Sequence, residues 1–258
     1  FTISEIFMGG YSFSSEDFSG RTALITGAAR GLGREIGQMF HDHGARIILV
    51  DIDSRVEQAA ADIDRESKTV IGKIVDLTDD KAVASLRDAV IQEFGGIDTL
   101  INNAGTYSPH AIRDISGPDF DERIAINLKT VFLTTQAFMD SLSSTQCGRV
   151  VNIASADAYR PKVTNAPYAA AKAGVVSLTK SFAAELAPNV LVNGVSPGPI
   201  VTETAKTQDW LEQAIDKHPL GYAAVPKDIG RVVLFLASPA NKFMNGETVV
   251  VNGGTIMI

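Results

Sequence analysis

A tyrosine and a lysine stand four residues apart, at Tyr168 and Lys172, within a segment predicted to be helical. Residues at this spacing share one face of a helix. A free tyrosine has a pKa of about 10, which is too high for an efficient base at neutral pH. A neighbouring ammonium stabilises the phenolate and is expected to lower that pKa. The pair therefore predicts acid–base chemistry, with Tyr168 as the proton-transfer group.

Two further polar residues are candidates for the same site. Ser155 ends a predicted strand thirteen residues before Tyr168, and Asn127 lies inside a predicted helix. Each residue also has a structural explanation, because serine often ends strands and an asparagine in a helix can bond the backbone. Tyrosine and lysine four apart are also common on solvated helices. The four residues indicate catalysis only as a set, beside a cofactor site.

A glycine-rich turn supplies the candidate cofactor site. It reads Thr26-Gly27-Ala28-Ala29-Arg30-Gly31-Leu32-Gly33, directly after the first predicted strand and at the start of a helix. Gly27 permits the tight turn, Gly31 lets the backbone approach a pyrophosphate, and Gly33 allows close packing of helix on strand. Free N–H groups at the start of the helix would face the anion. A glycine cluster alone is weak evidence, but here it lies in the strand–turn–helix context that a dinucleotide needs.

The second predicted strand ends in Asp51. A carboxylate at this place can accept both hydrogen bonds from the adenosine ribose and would repel a 2′-phosphate. The alternative role is a helix N-cap, which Asp53 or Ser54 could supply instead. Arg30 is a cation that could accommodate a 2′-phosphate, but Asp51 is the more decisive of the two residues, so NAD is predicted and NADP is the less favoured alternative. Asp76, at the end of the third strand, could bond the adenine amino group or cap the next helix.

Seven short apolar runs alternate with longer amphipathic segments. The runs are apolar nearly throughout, which is typical of strands covered on both faces. The alternation predicts an α/β protein with a single-domain Rossmann fold, in which a doubly wound, seven-stranded parallel sheet carries helices on both faces. The predicted strands are Thr22–Thr26, Arg46–Val50, Val70–Val75, Thr99–Ile101, Arg149–Ile153, Val190–Val195 and Thr248–Val251. The predicted helices are Leu32–His43, Ser54–Glu66, Asp79–Phe94, Pro118–Leu142, Ala166–Leu186 and Pro226–Ala237.

No internal repeat or linker marks a second domain. Residues 19–258 are therefore expected to form one dinucleotide-binding and catalytic domain, and residues 1–18 an N-terminal extension of unknown role. The least regular stretch is Pro197–Val225, which follows a late strand. A loop in that position lies at the carboxyl edge of the sheet, where ligands bind, so we interpret it as a flap over the substrate.

Composition excludes several functions. The net charge of -7, without a run of basic residues, disfavours nucleic acid as a partner. No segment has the roughly 18 apolar residues of a membrane span, and the N-terminus is a poor signal peptide. The single cysteine, Cys147, cannot form an internal disulfide, which fits a reducing compartment, so a cytoplasmic enzyme is expected. No set of Cys, His and carboxylate residues has metal-ligand spacing, so no metal is predicted.

The motifs together resemble those of the classical short-chain dehydrogenases/reductases. The resemblance runs from about Ser19 to the C-terminus. It rests on Thr26-Gly-x-x-x-Gly31-x-Gly33, Asn102-Asn103-Ala104-Gly105, Asn127, Ser155, Tyr168-x-x-x-Lys172 and Pro197-Gly198. One departure is Asn252, which stands where the family more often has aspartate, at a position expected to lie away from the chemistry.

The resemblance implies roles for the catalytic set. Ser155 would hydrogen-bond the substrate oxygen, and Asn127 would hold a water in a proton relay with Lys172. Lys172 would also contact the nicotinamide ribose and, with the positive nicotinamide, lower the pKa of Tyr168. The catalytic residues are thus Asn127, Ser155, Tyr168 and Lys172.

The resemblance also implies a cofactor site and an assembly. Asn102–Gly105 would line the adenosine side and support the sheet, Pro197-Gly198 would shape the nicotinamide pocket, and Ile200 with Thr202 would touch the carboxamide. A homotetramer is implied, with the helices Pro118–Leu142 and Ala166–Leu186 as candidate interfaces. The predicted cofactor-binding residues are Gly27, Arg30, Gly31, Leu32, Gly33, Asp51, Asp76, Leu77, Asn103, Ala104, Gly105, Tyr168, Lys172, Pro197, Gly198, Ile200 and Thr202.

The predicted activity is hydride transfer between NAD and a small molecule, interconverting a secondary alcohol and a ketone. Asp157, Tyr159 and Arg160 near the expected pocket favour a polar substrate such as a sugar, polyol or hydroxy acid. A 3-oxoacyl-carrier or hydroxysteroid-type reductase of the same fold is the alternative, although no basic cluster is present to dock an acidic carrier protein. A catalytically silent dinucleotide sensor or scaffold is the alternative from another class, and the complete catalytic set disfavours it.

Overall fold

The structure, a computed structural model, describes residues 18–66, 68–202 and 219–258. Seven parallel strands form one sheet in the order β3-β2-β1-β4-β5-β6-β7. The strands are β1 (Thr22–Thr26), β2 (Arg46–Asp51), β3 (Val70–Ile74), β4 (Thr99–Asn102), β5 (Gly148–Ile153), β6 (Val190–Pro197) and β7 (Thr248–Val251). Strand order reverses between β1 and β4, and the crevice beyond their carboxyl ends is where such sheets bind ligands.

Helices cover both faces of the sheet, as predicted. They are α1 (Gly31–Asp42), α2 (Arg55–Ile63), α3 (Asp80–Phe94), α4 (Gly117–Ile124), α5 (Thr130–Ser144), α6 (Ala166–Leu186) and α7 (Pro226–Ala237). Side chains of α1, α2 and α7 share one apolar core with Ile47 and Leu49 of β2. Those of α3, α5 and α6 share a second core with Ile48 and Val50. Successive residues of one strand thus feed opposite cores, so the sheet is doubly wound.

The segment predicted as one helix over Pro118–Leu142 is divided. Helix α4 ends at Ile124, a π-helical turn occupies Ala125–Lys129, and α5 begins at Thr130. Such turns insert an extra residue into the helical repeat and are frequent at functional sites. This one carries Asn127, whose side chain is fully buried.

Helix α2 ends three residues earlier than predicted because Asp64 turns the chain. The Asp64 carboxylate accepts hydrogen bonds from the N–H groups of Glu66, Lys68 and Thr69 at 3.0, 3.0 and 2.8 Å. An aspartate that bonds the backbone ahead of it offers those N–H groups an alternative to the helix. The other boundaries agree with the prediction to within about two residues.

A buried polar network ties the middle of the sheet to two helices. Asn102 of β4 donates to Asn152 Oδ1 of β5 at 2.8 Å and to Thr135 Oγ1 of α5 at 3.0 Å. Thr134 of α5 donates to Asn102 Oδ1 at 2.6 Å. Asn152 in turn donates to Thr179 Oγ1 of α6 at 3.0 Å. The network therefore fixes α5 and α6 against the strands, and α6 carries Tyr168 and Lys172.

Two predicted segments fall wholly or partly outside the described residues. The structure does not describe residues 1–17 of the expected extension or residues 203–218 of the expected flap. Phe18, the last residue of that extension, is fully buried and packs on Phe40 with ring centroids 4.6 Å apart. No helix in the described ranges is long and apolar enough to cross a membrane.

Candidate active site

The four predicted catalytic residues meet beyond the carboxyl ends of β4 and β5. Ser155 follows β5 by two residues, and Tyr168 and Lys172 lie in the first two turns of α6. The Ser155 hydroxyl lies close enough to Tyr168 to act on the pKa of its phenol. Ser155 Oγ also accepts the Asp157 N–H at 3.1 Å, which fixes the side chain of Ser155.

Lys172 and Asn127 are buried side by side around Gly105. Lys172 is 3 % exposed, and its Nζ donates to the Ile153 carbonyl oxygen at 2.8 Å. Asn127 Oδ1 accepts the Thr106 N–H at 3.0 Å, so the orientation of its amide is set. A Cβ at Gly105 would lie 2.7 Å from Asn127 Oδ1 and 3.4 Å from Lys172 Nζ. Glycine at this position therefore leaves the room that the two side chains need.

The electrostatics of the pair differ from the expectation. Burial raises the pKa of Tyr168 to about 12, the negative charge of Asp157 and the Tyr107 phenol add to this, and the Ser155 hydroxyl opposes it. Burial also lowers the pKa of Lys172 to about 8. The lysine Nζ lies 5.8 Å from the centre of the tyrosine ring and is bonded elsewhere. In the protein alone, burial therefore outweighs the ammonium and keeps Tyr168 protonated.

The glycine turn is locked against the end of β4. Gly27 has a φ of +64°, and a Cβ there would lie 2.7 Å from Ala104 Cα. A Cβ at Gly33 would overlap the carbonyl oxygen of Gly27. Asn103 Nδ2 donates to the carbonyl oxygens of Thr26 and Gly27 at 3.0 and 2.9 Å. Larger residues would therefore separate the turn from Asn103 and Ala104.

The start of α1 fits the pyrophosphate of a dinucleotide. Arg30 occupies the N-cap position with extended backbone and makes no side-chain cap, and the first turn contains no acidic residue. The N–H groups and the positive end of the helix dipole are thus left for an anion. Gly31 has a φ of +57°, and the Thr202 methyl group lies 3.7 Å from the place of a Gly31 Cβ. The loop after β6 therefore reaches this turn. Leu32 packs against the core behind it.

Asp51 lies at the tip of β2 as predicted, and it does not cap α2. Its Oδ2 accepts the Ala29 N–H and its Oδ1 the Asp53 N–H, both at 3.0 Å. Asp53 instead accepts a hydrogen bond from an N–H at the start of α2, that of Arg55, at 3.0 Å. The side chain of Arg55 pairs with Asp53 and, with help from the charge of Arg30, holds the pKa of Asp53 below its usual range. Both arginines near Asp51 thus face a second carboxylate.

Asp76 and Leu77 form the turn between β3 and α3. Asp76 Oδ1 accepts the Thr78 N–H at 2.9 Å and its hydroxyl at 2.7 Å. The N-cap of α3 is Asp79, which accepts the Lys81 N–H at 2.8 Å, so Asp76 does not cap this helix. The Leu77 side chain is in the core, leaving only its backbone for a ligand. A contact between Asp76 and adenine stays a prediction.

The predicted nicotinamide side is built on the end of β6. Gly198 follows Pro197 and donates its N–H to the Val251 carbonyl oxygen at 3.0 Å. A Cβ at Gly198 would lie 2.9 Å from Asn252 Cβ, so Asn252 is closer to this pocket than expected. The Asn252 amide donates to the Ile256 carbonyl oxygen at 2.9 Å, a bond that aspartate could not make. Ile200 forms a β-bridge with Ala224 in the loop.

Comparison with known proteins agrees with this arrangement. Residues 27–255 match the family model described as enoyl-(acyl carrier protein) reductase. The chain belongs to the short-chain dehydrogenase/reductase family. It is thus an oxidoreductase of a family that uses a nicotinamide cofactor.

Individual relatives cover nearly the whole chain. A (2S)-[(R)-hydroxy(phenyl)methyl]succinyl-CoA dehydrogenase subunit, BbsD of Thauera aromatica, is 37 % identical over 241 residues, which is 91 % of this chain and 96 % of BbsD. The 3-oxoacyl-[acyl-carrier-protein] reductase FabG of Vibrio cholerae is 33 % identical over 94 % of this chain and all of FabG. A crystal structure of a short-chain dehydrogenase/reductase named glucose/ribitol dehydrogenase, from Brucella melitensis, superimposes with a TM-score of 0.89 at 34 % identity, covering 94 % and 99 % of the two chains.

Two residues of this short-chain dehydrogenase/reductase were missed by sequence reasoning. The Tyr107 ring meets the Tyr168 ring edge-on with centroids 5.2 Å apart. Asn165 is 1 % exposed and donates to Asp157 Oδ2 at 2.5 Å. Asn165 directly precedes α6 and by sequence resembles an ordinary N-cap, so no local signal revealed its partner. Tyr107 thus contacts Tyr168 directly, and Asn165 reaches the site through Asp157.

Proposed function

We propose that this chain is an NAD-dependent oxidoreductase that interconverts a secondary alcohol and a ketone of a polar small molecule. The observation that carries the proposal is the meeting of Tyr168, Ser155, Lys172 and Asn127 beside the glycine turn of β1 and α1. Bound NAD would supply or accept the hydride. The other steps belong to side chains of this chain.

Tyr168 is the general acid in the reductive direction. Its raised pKa keeps the phenol protonated at neutral pH, so the hydroxyl can give its proton to the substrate oxygen. Ser155 donates a hydrogen bond to the same oxygen, and the Asp157 N–H that its Oγ accepts holds the side chain in place. Lys172, whose pKa of about 8 lies near neutrality, can return a proton to Tyr168. The Thr106 N–H fixes the amide of Asn127 beside Gly105, which Lys172 also adjoins.

Cofactor preference follows from Asp51. The carboxylate stands where the adenosine ribose would lie, and a 2′-phosphate there would meet its negative charge. Arg30 and Arg55 do not offset this repulsion fully, because Asp53 also engages both cations. We expect kcat/KM with NAD to exceed that with NADP by at least about tenfold. A preference for NADP would refute the role given to Asp51.

Replacing Tyr168 by phenylalanine tests the chemistry. The change removes one hydroxyl and leaves the ring packed on Tyr107. We expect kcat to fall by a factor of about 10² to 10⁴, which is the usual contribution of a general acid or base. Turnover is followed by NADH absorbance over a panel of alcohols, polyols, hydroxy acids and ketones. NADH affinity, measured by fluorescence titration, should change little, and full activity in the variant would remove the mechanism.

Acyl thioesters are a second candidate substrate class, favoured by the names of two relatives. BbsD is named for a CoA ester and FabG for an acyl carrier protein. Acetoacetyl-CoA therefore belongs in the panel as a 3-oxoacyl test compound. A kcat/KM for this thioester well above those of all polar ketones would replace the small-molecule proposal.

A homotetramer is the assembly we propose, in the cytoplasm. The outer faces of α4, α5 and α6 form an apolar groove of about 410 Å³ lined in part by Ile124, Leu128, Phe132 and Leu178. Phe132 is 39 % exposed in the single chain, which favours burial against another copy. Mass by light scattering tests this, and a monomer would contradict it.

A further inference from the structure

Asp157 is an acidic side chain beside the reacting groups that the mechanism does not use. It lies in the short 3₁₀ turn Ala156–Ala158, two residues after Ser155. It is half-buried, and its charge raises the pKa of Tyr168 and so opposes formation of the phenolate. A carboxylate here does not help Tyr168 act as a base. Asp157 follows Ser155 by two residues and its charge reaches Tyr168, so it borders the two groups that would hold the reacting oxygen.

Asn165 fixes the orientation of Asp157. Asn165 stands at the N-cap position of α6 yet makes no cap hydrogen bond. Its Oδ1 accepts the Lys162 N–H at 3.1 Å, so its Nδ2 must face Asp157, where it donates to Oδ2 at 2.5 Å. Residue 157 must therefore present an oxygen to Asn165.

The second carboxylate oxygen of Asp157 is left for a ligand. Among the described residues, no hydrogen bond reaches Oδ1, and this atom is not among the buried atoms without a partner, so it is at least partly accessible. Burial raises the pKa of Asp157 above its usual value, while the positive charge of Lys162 and the hydrogen bond from Asn165 act against this rise and favour the ionised form. An ionised oxygen accepts hydrogen bonds and cannot donate them.

We propose that Asp157 Oδ1 accepts a hydrogen bond from a hydroxyl on the carbon next to the reacting carbonyl, so that the substrates are α-hydroxy ketones and the corresponding vicinal diols. This inference rests on the proposed function, because Ser155 and Tyr168 must hold the reacting oxygen for Asp157 to meet its neighbour. The same charge disfavours a carboxylate on that carbon. Asp157 is thus a specificity-determining residue, and Asn165 is its positioning residue.

Three ketones of similar size test whether Asp157 accepts a hydrogen bond from the substrate, because they differ in the group next to the carbonyl. Acetoin has a hydroxyl donor next to its carbonyl, 2,3-butanedione has an acceptor at the same place, and 2-butanone has neither. We expect wild-type kcat/KM with NADH to be at least about tenfold higher for acetoin than for 2-butanone, which corresponds to about 1.4 kcal/mol. This arm needs no variant.

The variant Asp157→Asn reverses the polarity of the contact. Asn165 still requires an oxygen from residue 157, so the new side chain turns its Nδ2 donor towards the substrate. The ratio of kcat/KM for acetoin to that for 2,3-butanedione should fall at least about tenfold, and any effect of the lost charge on Tyr168 is shared by both ketones and cancels in this ratio. Comparing ratios between proteins cancels the intrinsic reactivity of each ketone. Asp88→Asn, an exposed carboxylate on α3, is the matched control and should leave every ratio unchanged.

The outcomes distinguish this inference from the proposed function. If ketones are reduced but the acetoin ratios do not change in Asp157→Asn, Asp157 serves only to hold its loop and the inference is overturned. Reduction of other ketones without any preference for acetoin over 2-butanone overturns it as well. If no ketone of the panel is reduced with NADH or NADPH, the proposed function fails instead.

Discussion

Replacing Lys172 by methionine removes a buried ammonium and should stabilise the ligand-free protein at neutral pH. Burial lowers the pKa of this lysine from 10.5 to about 8. That difference means that the charged form costs the folded state about 3 kcal/mol. Methionine loses the hydrogen bond to the Ile153 carbonyl oxygen, a loss of about 1 to 2 kcal/mol. The net gain at pH 7 is therefore about 1 to 2 kcal/mol, together with loss of turnover.

The pH dependence gives a sharper test than the value at one pH. Between about pH 8 and 10.5, the unfolded chain keeps a proton on Lys172 that the folded protein has released. Wild-type stability therefore rises with pH in this window, and the cost of the buried charge is complete below about pH 8. From pH 7 to 9.5 the wild type should gain about 2 kcal/mol relative to the variant. The advantage of the variant should then disappear or change sign.

Denaturant unfolding followed by circular dichroism measures both quantities. Comparing the two proteins at each pH cancels the titration of groups that they share. Lys180→Met is the matched control, because Lys180 is exposed on the same helix and should give a difference that is small at every pH. If Lys172→Met is less stable than wild type at pH 7 by an amount that does not vary with pH, the desolvation argument is wrong.

Three further changes test the predicted cofactor site at the β1–α1 turn and the tip of β2, and the buried polar network in the sheet. Asp51→Ala should reduce the ratio of kcat/KM for NAD to that for NADP at least about tenfold, and Asp62→Ala, on the exposed side of α2, should not change it. Gly33→Ala should weaken NADH binding and destabilise the fold by about 1 to 3 kcal/mol, because the new Cβ overlaps a backbone oxygen, whereas Gly117→Ala meets open space and should do neither. Asn152→Leu strands its buried partners and should lower the unfolding free energy by about 1 to 3 kcal/mol, measured in urea.

The sheet and the glycine turn follow from short-range patterns in the sequence. Apolar runs such as Ile47–Val50 fill both cores, which is why they are apolar at every position. The glycines of the β1–α1 turn are needed where backbone meets backbone, so their spacing carries the geometry. These features can be predicted from the sequence because the residues that determine each one lie within a few positions of it.

Features that depend on residues distant in the sequence could not be predicted. The π turn at Ala125–Lys129 has no distinct composition, and it places Asn127 against Thr106, which comes from another loop. The contact of Asn165 with Asp157 joins the loop after β5 to the start of α6. The local sequence around Asn165 is compatible with an N-cap role and equally with the contact to Asp157, so it does not distinguish the two.

The pKa of Tyr168 also depends on residues distant in the sequence, and this dependence affects the mechanism. The spacing of Tyr168 and Lys172 indicates correctly that the two are neighbours, but it carries no information about how much water either one has lost. Burial acts on both groups and favours the neutral form of each, so the phenol is held in its acid form and the ammonium is weakened. Together they favour proton donation to a ketone oxygen. A site of this kind can act as a base only when a further positive charge stabilises the phenolate, and the charge of oxidised nicotinamide is of the required sign. Catalysis of alcohol oxidation should therefore depend more steeply on Lys172 and on pH than catalysis of ketone reduction.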